Sequence, residues 1–299
     1  MANKNKRLSQ NVVGPFFVDA SCINCGSCWQ IAPKNFSQTN ANTAFVHKQP
    51  IQEKEIYKAI LALTDCPVGA IGAPTDIISN VSNNIFPIFV AKNFAGEVYY
   101  CGWSSSLSFG ASSWLIVRPE GNILIDSPRW STSLAKTIDK MGRIDQMVLT
   151  HRDDVADHAK WSKAFKCERW IHKDDMDAAP ESENQLIGMD LISIGNQITL
   201  IPVPGHTKGS IVAVLGDQKQ ILFSGDHLWW NPKKEVLVAS KEYCWWNWTE
   251  QLKSVKRLLN LDVRWLLPGH GYAKQFEPGE WKKAVEQTLE YEKKHKNLL

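Results

Sequence analysis

The sequence has 299 residues, a length that accommodates two ordinary domains. Its hydrophobic fraction of 43% is typical of globular proteins, and its formal charge of +3 is too small to indicate a nucleic-acid-binding protein. No apolar run approaches the roughly 18 residues of a membrane-spanning helix, and Met1–Gln10 lacks the apolar core of a secretory signal, so we expect a cytoplasmic protein with no membrane or nucleic-acid partner.

The N-terminal quarter of the chain is predicted to form one small domain. Residues 1–11 are polar and are expected to be a mobile tail, and residues 12–76 are expected to be the domain itself. Within it, apolar residues recur at helical spacing over Ile51–Leu63, which predicts a helix. Residues 77–85 are rich in serine and asparagine and are predicted to be a linker to a second domain at 86–299.

Four cysteines of the first domain form a distinctive pattern. Three are separated by two residues each and the fourth precedes a proline, at Cys22, Cys25, Cys28 and Cys66. In a reducing compartment such clustering favours metal binding over disulfides. The spacing resembles that of single-cluster bacterial ferredoxins, which implies that Cys66 closes a cage around one [4Fe–4S] cluster. A structural zinc site is the alternative, but such sites usually pair two Cys-x2-Cys units.

Beyond residue 86 the pattern changes to short strands mixed with helices. Trp114–Val117 and Ile123–Ile125 predict a β-hairpin. Further strands are predicted at Met147–Leu149, Ile198–Val203, Ile211–Leu215 and Gln220–Phe223, and helices at Leu134–Met141, Val155–Phe165, Glu250–Leu259 and Glu280–Lys294. This mixture indicates an α/β (α+β) fold in which helices cover sheets.

Four short polar segments of the second domain each follow an apolar strand. They are Thr150–His158, Gly205–Ser210, Ser224–His227 and Pro268–Gly271. Loops that follow strands allow a rigid sheet to direct several side chains at one point. Each segment alone is a weak signal, because a single His or Asp often serves a turn or a solvated surface. Their ordered combination indicates a metal site.

Together with Leu124–Asp126, these segments resemble the motifs of the metallo-β-lactamase superfamily over residues 86–275. The resemblance implies a four-layer αβ/βα sandwich with two metal ions at one edge between its sheets. It also implies that Asp126 supports the ligands from behind. The implied ligands are His151 and His206 for the first metal, Asp157, His158 and His270 for the second, and Asp226 as the bridge between them.

The segment Thr150–His158 departs from the His-x-His-x-Asp-His pattern of that superfamily. Asp153 stands where the second His is expected, and two extra residues precede Asp157. We interpret the difference as an insertion, with Asp153 as a further ligand of the first metal. The alternative is that Asp153 caps the helix that follows.

The implied chemistry is hydrolysis. Two adjacent divalent cations bind a bridging water and lower its pKa to about 7. The resemblance therefore predicts a metal-dependent hydrolase that uses a metal-bound hydroxide on an ester, thioester, lactone or similar bond of a small-molecule substrate, with zinc as the preferred metal and Asp157 as a proton acceptor.

Two other functions remain open. Asp153 is a hard oxygen donor that favours iron or manganese, as in the flavodiiron members of the superfamily. A di-iron oxidoreductase that receives electrons from the [4Fe–4S] cluster, with an external electron-transfer partner, is therefore one alternative. A non-enzymatic redox sensor or electron carrier is the other.

Aromatic residues are concentrated after the Gly-Asp-His motif. Trp229 and Trp230 fit either a wall of the substrate pocket or ordinary core packing. Trp245, Trp246 and Trp248 are expected to lie in the core. The three remaining cysteines are expected to behave as small apolar residues: Cys101, Cys167 and Cys244.

Overall fold

The three-dimensional structure is a computed structural model that describes residues 2–79 and 85–296. The predicted linker at 77–85 lies mostly outside the described residues. The strands in chain order are β1 (Phe17–Val18), β2 (Phe36–Gln38), β3 (Ala44–Val46), β4 (Ile71–Gly72), β5 (Ile88–Asn93), β6 (Gly96–Tyr100), β7 (Trp114–Val117), β8 (Ile123–Ile125), β9 (Gln146–Val148), β10 (Glu168–His172), β11 (Asn184–Leu186), β12 (Ile192–Ser193), β13 (Ile198–Pro202), β14 (Ile211–Leu215), β15 (Gln220–Gly225), β16 (Trp229–Asn231), β17 (Val236–Val238), β18 (Val263–Pro268) and β19 (Lys274–Gln275).

The helices follow the predicted pattern with small shifts at their ends. The α-helices are α1 (Ser27–Ile31), α2 (Glu53–Asp65), α3 (Thr75–Ser79), α4 (Thr132–Lys140), α5 (His158–Phe165), α6 (Trp248–Arg257) and α7 (Glu280–Lys296). Short 3-10 helices lie at Lys4–Lys6, Ser106–Ser108, Arg152–Asp154 and Lys173–Ala178. The largest boundary error is at α5, which begins three residues after the predicted start at Val155. No helix of the described part of the chain is long and apolar enough to cross a membrane.

The N-terminal region is a small unit with its own apolar core. Strand β1 pairs antiparallel with β4, and β2 pairs antiparallel with β3. Helix α2 covers these strands with Ala59 and Ile60, which are buried. The expected mobile tail is corrected by the structure. Asn11 is buried, and its side-chain oxygen accepts hydrogen bonds from the backbone N–H groups of Val18 and Val46, so the first residues are held against the unit.

The remainder of the chain contains two large sheets. The first has seven strands in the order β11-β10-β9-β8-β7-β6-β5, and the second has six in the order β12-β13-β14-β15-β18-β19. The predicted hairpin is confirmed, because Trp114 on β7 lies opposite Ile125 on β8 in an antiparallel pair. Strands β8 to β11 are parallel, and so are β15 and β18, as expected for strands connected through helices.

Three apolar layers separate four structural layers, which gives the predicted αβ/βα sandwich. The central core joins the two sheets through residues such as Ile125, Leu200 and Phe223. The outer face of the first sheet packs on α4 and α5, and the outer face of the second packs on α6 and α7. Local sequence supports the helices, since the Ser131 side chain accepts a hydrogen bond from Leu134 N at the start of α4.

The carboxyl ends of three strands meet at one edge of the sandwich. Thr150 and His151 follow β9, Asp226 follows β15 and His270 follows β18. Backbone hydrogen bonds join these loops both between the two sheets and within the second sheet. Ile211 N donates to Thr150 O at 2.8 Å between the sheets, and Gly269 N donates to Gly225 O at 2.8 Å within the second sheet. The sheets therefore hold the polar loops in fixed positions.

Candidate metal centres

The four predicted cysteine ligands surround one small cavity in the N-terminal unit. We call Cys22, Cys25, Cys28 and Cys66 the cysteine cage. Backbone N–H groups are directed at its sulfur atoms: Ala44 N lies 3.3 Å from Cys22 Sγ, and Ala70 N lies 3.2 Å from Cys66 Sγ. Such N–H groups stabilise thiolates.

The cage suits a cationic group. Burial raises the pKa of the Cys25 thiol to about 11 and raises the pKa of Cys28 and Cys66 as well. Buried thiols that converge in this way are deprotonated when they bind iron or another cation, because the cation compensates their charge. Hence the cage fits the predicted [4Fe–4S] cluster.

At the edge of the sandwich, two imidazoles and two carboxylates converge on what we call the first position. His151 Nε2 lies 3.7 Å and His206 Nε2 lies 3.9 Å from Asp226 Oδ2. Asp153 Oδ2 lies 3.9 Å from His151 Nε2 and 3.4 Å from His206 Nε2. The structure therefore brings together the four residues predicted for this position.

Neighbouring groups fix the orientation of the two imidazoles. Thr150 Oγ1 lies 3.0 Å from His151 Nδ1 and hydrogen bonds Asp126 at 2.9 Å. His206 Nδ1 lies 2.5 Å from the carbonyl oxygen of Tyr243, which can only accept, so Nδ1–H donates this hydrogen bond. Each histidine thus directs its Nε2 at the first position, and Asp126 contributes to the orientation of His151 through Thr150.

A second position lies beside the first. Its groups are Asp154, Asp226 and His270, whose nearest ligand atoms all lie within 4.8 Å of one another. His270 Nδ1 contacts both oxygens of Asp226 at 2.8 Å. The backbone at Gly269 can lie this close to the two carboxylates because glycine has no side chain. A Cβ there would lie only 2.7 Å from Asp154 Oδ2 and 2.8 Å from Asp226 Oδ1.

The second position requires a revision of the sequence interpretation. Asp157 Oδ2 accepts a hydrogen bond from Trp130 N at 2.7 Å, and its Oδ1 pairs with Lys160 at 2.9 Å. His158 Nδ1 lies 3.3 Å from an Arg169 nitrogen. We therefore replace Asp157 and His158 with Asp154 as the acidic ligand of the second position. The sequence signal for this assignment is the adjacent acidic pair Asp153 and Asp154.

Asp153 does not cap helix α5, which was the alternative role considered for it. The residue at the N-terminus of α5 is Asp157, which makes no side-chain capping hydrogen bond. Asp153 instead faces His206, and this neighbouring imidazole lowers the pKa of the Asp153 carboxyl group.

The electrostatics of the two positions differ. Burial lowers the pKa of His151 to about 4, so this imidazole is neutral at pH 7 and able to bind a cation. At the second position burial raises the pKa of Asp154 well above its ordinary value, and nearby Asp226 raises it further. Burial opposes protonation of His270, but Asp226 raises its pKa to about 10, so a cation that binds there displaces a proton.

Unpaired buried atoms show that these groups fit metal ions. Among the described residues, His151 Nε2, His206 Nε2, His270 Nε2 and both carboxylate oxygens of Asp154 are buried and have no hydrogen-bond partner. Leaving such atoms unpaired costs about 1–3 kcal/mol each. A cation at each position would satisfy them, and we call the whole set the His/Asp centre.

An exposed group of aromatic side chains borders the first position. Tyr243, Trp245 and Trp246, which we call the aromatic rim, are exposed, with Trp245 exposed to 64%. The Trp245 ring centroid lies 6.1 Å from that of His206. The expectation that Trp245 and Trp246 lie in the core is therefore wrong. Trp229 and Trp230 are half-buried, and the Trp229 ring lies 6.5 Å from that of Tyr243.

Two family models match this chain. The model of the metallo-beta-lactamase superfamily matches residues 108–270, which is more than half of the chain. The model of the 4Fe-4S single cluster domain of ferredoxin I matches residues 18–73. The two matches contain the His/Asp centre and the cysteine cage, respectively. Comparison with curated proteins gives no match.

Solved structures of metallo-beta-lactamases share the fold. VMB-1 is 17% identical with a TM-score of 0.51, over 68% of this chain and 95% of that chain. FIM-1 from Pseudomonas aeruginosa in its mono-zinc form is 18% identical with a TM-score of 0.50, over 71% and 98%. DIM-1 exposed to ceftazidime is 18% identical with a TM-score of 0.50, over 67% and 97%.

Proposed function

The chain belongs to the metallo-beta-lactamase superfamily, and on that premise we propose that it is a metal-dependent hydrolase. Its substrates are small molecules with an ester, thioester, lactone or similar bond. The proposed ligands are His151, Asp153 and His206 at the first position, Asp154 and His270 at the second, and Asp226 between them.

The position of Asp226 is the observation that carries the proposal. One carboxylate lies 3.7 Å from His151 Nε2 and 2.8 Å from His270 Nδ1, so it contacts both groups of ligands. Cations held by the two groups would therefore be neighbours. When bound, two such cations supply hydroxide at neutral pH and polarise the oxygen of the bond that is broken.

The residues around the centre support this chemistry. Thr150 and the Tyr243 carbonyl keep His151 and His206 in the orientation that presents Nε2, so little reorganisation is needed when substrate enters. Asp157, predicted as a proton acceptor, is paired with Lys160 and has no part in the proposed mechanism.

The aromatic rim indicates which substrates fit. Trp245 lies beside His206 and is exposed, so it offers an apolar face to any group that enters from that side. Large aromatic side chains favour apolar ligand groups. We propose that the substrate carries an apolar group next to the bond that is hydrolysed.

The experiment combines metal analysis with hydrolysis. The full chain is purified anaerobically, its iron, sulfide and zinc are quantified, and it is assayed on acyl esters, thioesters and lactones. We expect four irons and four sulfides from one cluster together with two zinc ions, and hydrolysis of at least one substrate class. Asp226→Asn removes that activity, whereas the matched variant Asp157→Asn retains it. Full zinc occupancy without hydrolysis of any substrate would refute the proposal.

A second candidate is favoured by the donor set itself. The centre combines three imidazoles with three carboxylates, at Asp153, Asp154 and Asp226. Such an oxygen-rich set suits iron or manganese as well as zinc. A di-iron oxidoreductase supplied with electrons by the cluster, with dioxygen as the electron acceptor, is this second candidate. Two irons in addition to those of the cluster, with turnover that depends on dioxygen, would identify it.

A further inference from the structure

We infer that the segment Ser104–Ser112 couples the charge of the iron–sulfur cluster to cation binding at the second position. This segment, which we call the bridging segment, lies between the cysteine cage and the His/Asp centre. Cys25 of the cage and His270 of the second position line one and the same cavity, together with Gly110 and Ser112. The inference rests on the two-metal centre proposed above.

One end of the coupling is the contact between Gly110 and the cage. A Cβ built on Gly110 would lie 2.6 Å from Cys25 Cβ and 3.1 Å from Cys25 Sγ. The backbone also has a φ of +87° there, which favours glycine. Only glycine thus lets the bridging segment lie directly against a cluster ligand, with no side chain between them.

The other end is a pair of contacts with the second position. Ser112 N donates a hydrogen bond to Gly269 O at 2.7 Å. The ring centroid of Phe109 lies 6.4 Å from that of His270. Gly269 lies so close to the second position that a Cβ built on it would be 2.7 Å from Asp154 Oδ2 and 2.8 Å from Asp226 Oδ1. Residues adjacent in sequence, Phe109 and Gly110, therefore contact one centre each.

A buried carboxylate ties the bridging segment to the cage. Asp65 is fully buried and precedes the ligand Cys66. It accepts hydrogen bonds from Ser104 N at 3.2 Å, Ser104 Oγ at 3.1 Å and Tyr100 Oη at 3.0 Å. Within the segment, Gly110 N donates to Ser105 O at 2.8 Å. The segment is held at its start and along its length, so the separation of the two centres is fixed.

The sign of the coupling follows from charge. When the cluster accepts one electron from an external one-electron donor, it gains one negative charge, and no electron passes to the cation or the substrate. That added negative charge attracts a divalent cation held nearby. Because linkage is reciprocal, the cation raises the reduction potential of the cluster by the same free energy. A tenfold change in cation affinity corresponds to about 59 mV.

The test is a potentiometric titration of the cluster in the full chain, followed by its electron paramagnetic resonance signal. The protein is compared with its His/Asp centre stripped of metal and loaded with zinc, which has no redox chemistry. We expect a higher potential with zinc bound, and tighter zinc binding to the reduced protein by the matching factor.

Variants assign the effect to the second position. In Asp154→Asn, which loses the zinc of the second position, the difference in potential caused by zinc becomes smaller, whereas in the matched control Asp157→Asn it keeps its wild-type size. Zinc that binds to the wild type in two equivalents without changing the potential overturns the coupling but leaves the hydrolase proposal intact. A chain that binds no zinc outside the cage overturns both.

Discussion

The cysteine cage and the His/Asp centre collect their ligands in opposite ways. Three of the four cage ligands come from one short stretch, Cys22–Cys28, and Cys66 closes the set. The ligands of the His/Asp centre come from four loops that follow strands of two different sheets. A local motif therefore defines the cage, whereas the centre exists only because the sandwich brings distant loops together. The two should respond differently to single substitutions.

The largest effect is expected at the cage, where each ligand is indispensable. Cys66→Ser removes the only ligand from outside the triplet, so the chain should lose its intact cluster and retain fewer than the four irons of a complete cage. The N-terminal unit should also lose stability, because metal binding contributes directly to the folding of small metal-dependent units. Iron and sulfide analysis and thermal unfolding measure both effects.

The matched control for this variant is Cys167→Ser, which changes a buried cysteine in the apolar layer between the first sheet and helices α4 and α5. Its iron content should equal that of the wild type. Zinc at the His/Asp centre should remain at two equivalents in both variants when zinc is saturating. An intact cluster in Cys66→Ser would mean that another residue closes the cage.

The same contrast explains what the sequence could and could not predict. The cage was predictable because the spacing of Cys22, Cys25 and Cys28 itself sets the geometry of the loop. The sandwich was predictable because the ordered motifs resemble those of the metallo-β-lactamase superfamily, which implies that fold. Asp154 was not, because its direction depends on the 3-10 helix at Arg152–Asp154 and on the late start of α5 at His158.

The aromatic rim shows a second limit of the sequence. Trp residues are usually buried, which led to the expectation of core packing for Trp245 and Trp246. Their exposure is a property of the loop before α6, whose backbone folds over His206: Trp245 N and Trp246 N donate to His206 O at 2.9 Å and 3.0 Å. No hydrophobic periodicity in the sequence indicates this contact between the loop and His206.

The next largest effect distinguishes the two ligand assignments for the Thr150–His158 segment, one with Asp157 and His158 and the other with Asp154. Asp154→Asn should lower the zinc content of the His/Asp centre from two equivalents to one, because a buried carboxylate of the second position loses its charge. Asp157→Asn, three residues along, should leave both equivalents in place. Zinc analysis after dialysis measures the difference, and the iron of the cage serves as an internal standard.

If Asp157→Asn lost zinc and Asp154→Asn retained it, Asp157 and not Asp154 would be the ligand, as the sequence interpretation with an insertion predicted. His158→Gln provides an independent check of the same question. Its imidazole faces Arg169, so the zinc content of this variant should equal that of the wild type.

A smaller effect on zinc binding should come from the groups that orient the ligands of the His/Asp centre. The cysteine cage does not depend on these groups. Thr150→Val removes the hydroxyl that links His151 to Asp126 but keeps the backbone hydrogen bond from Thr150 N to Asp126 Oδ1. Loss of such a supporting contact typically weakens metal binding by about 10–100-fold. Competition with a chromogenic chelator measures the zinc affinity.

Thr150→Ser restores the hydroxyl and should recover most of that affinity, which a general packing defect would not. The cluster should keep its iron and its absorption spectrum in both variants. Equal zinc affinity for wild type and Thr150→Val would show that Asp126 and Thr150 support the fold and not the ligands.

The smallest effect is expected at the aromatic rim, whose side chains touch neither set of ligand atoms. Trp245→Ala should raise KM for substrates with an apolar group by about two- to tenfold, the range of an aromatic contact of about 0.5–1.5 kcal/mol. The kcat and the metal content should change little, because His206 keeps its hydrogen bond to the Tyr243 carbonyl. Phe94→Ala, at an exposed aromatic of the β5–β6 turn, is the matched control. A fall in kcat with unchanged KM would instead place Trp245 among the groups that position His206. The aromatic rim would then support the metal ligands and would not contact the substrate.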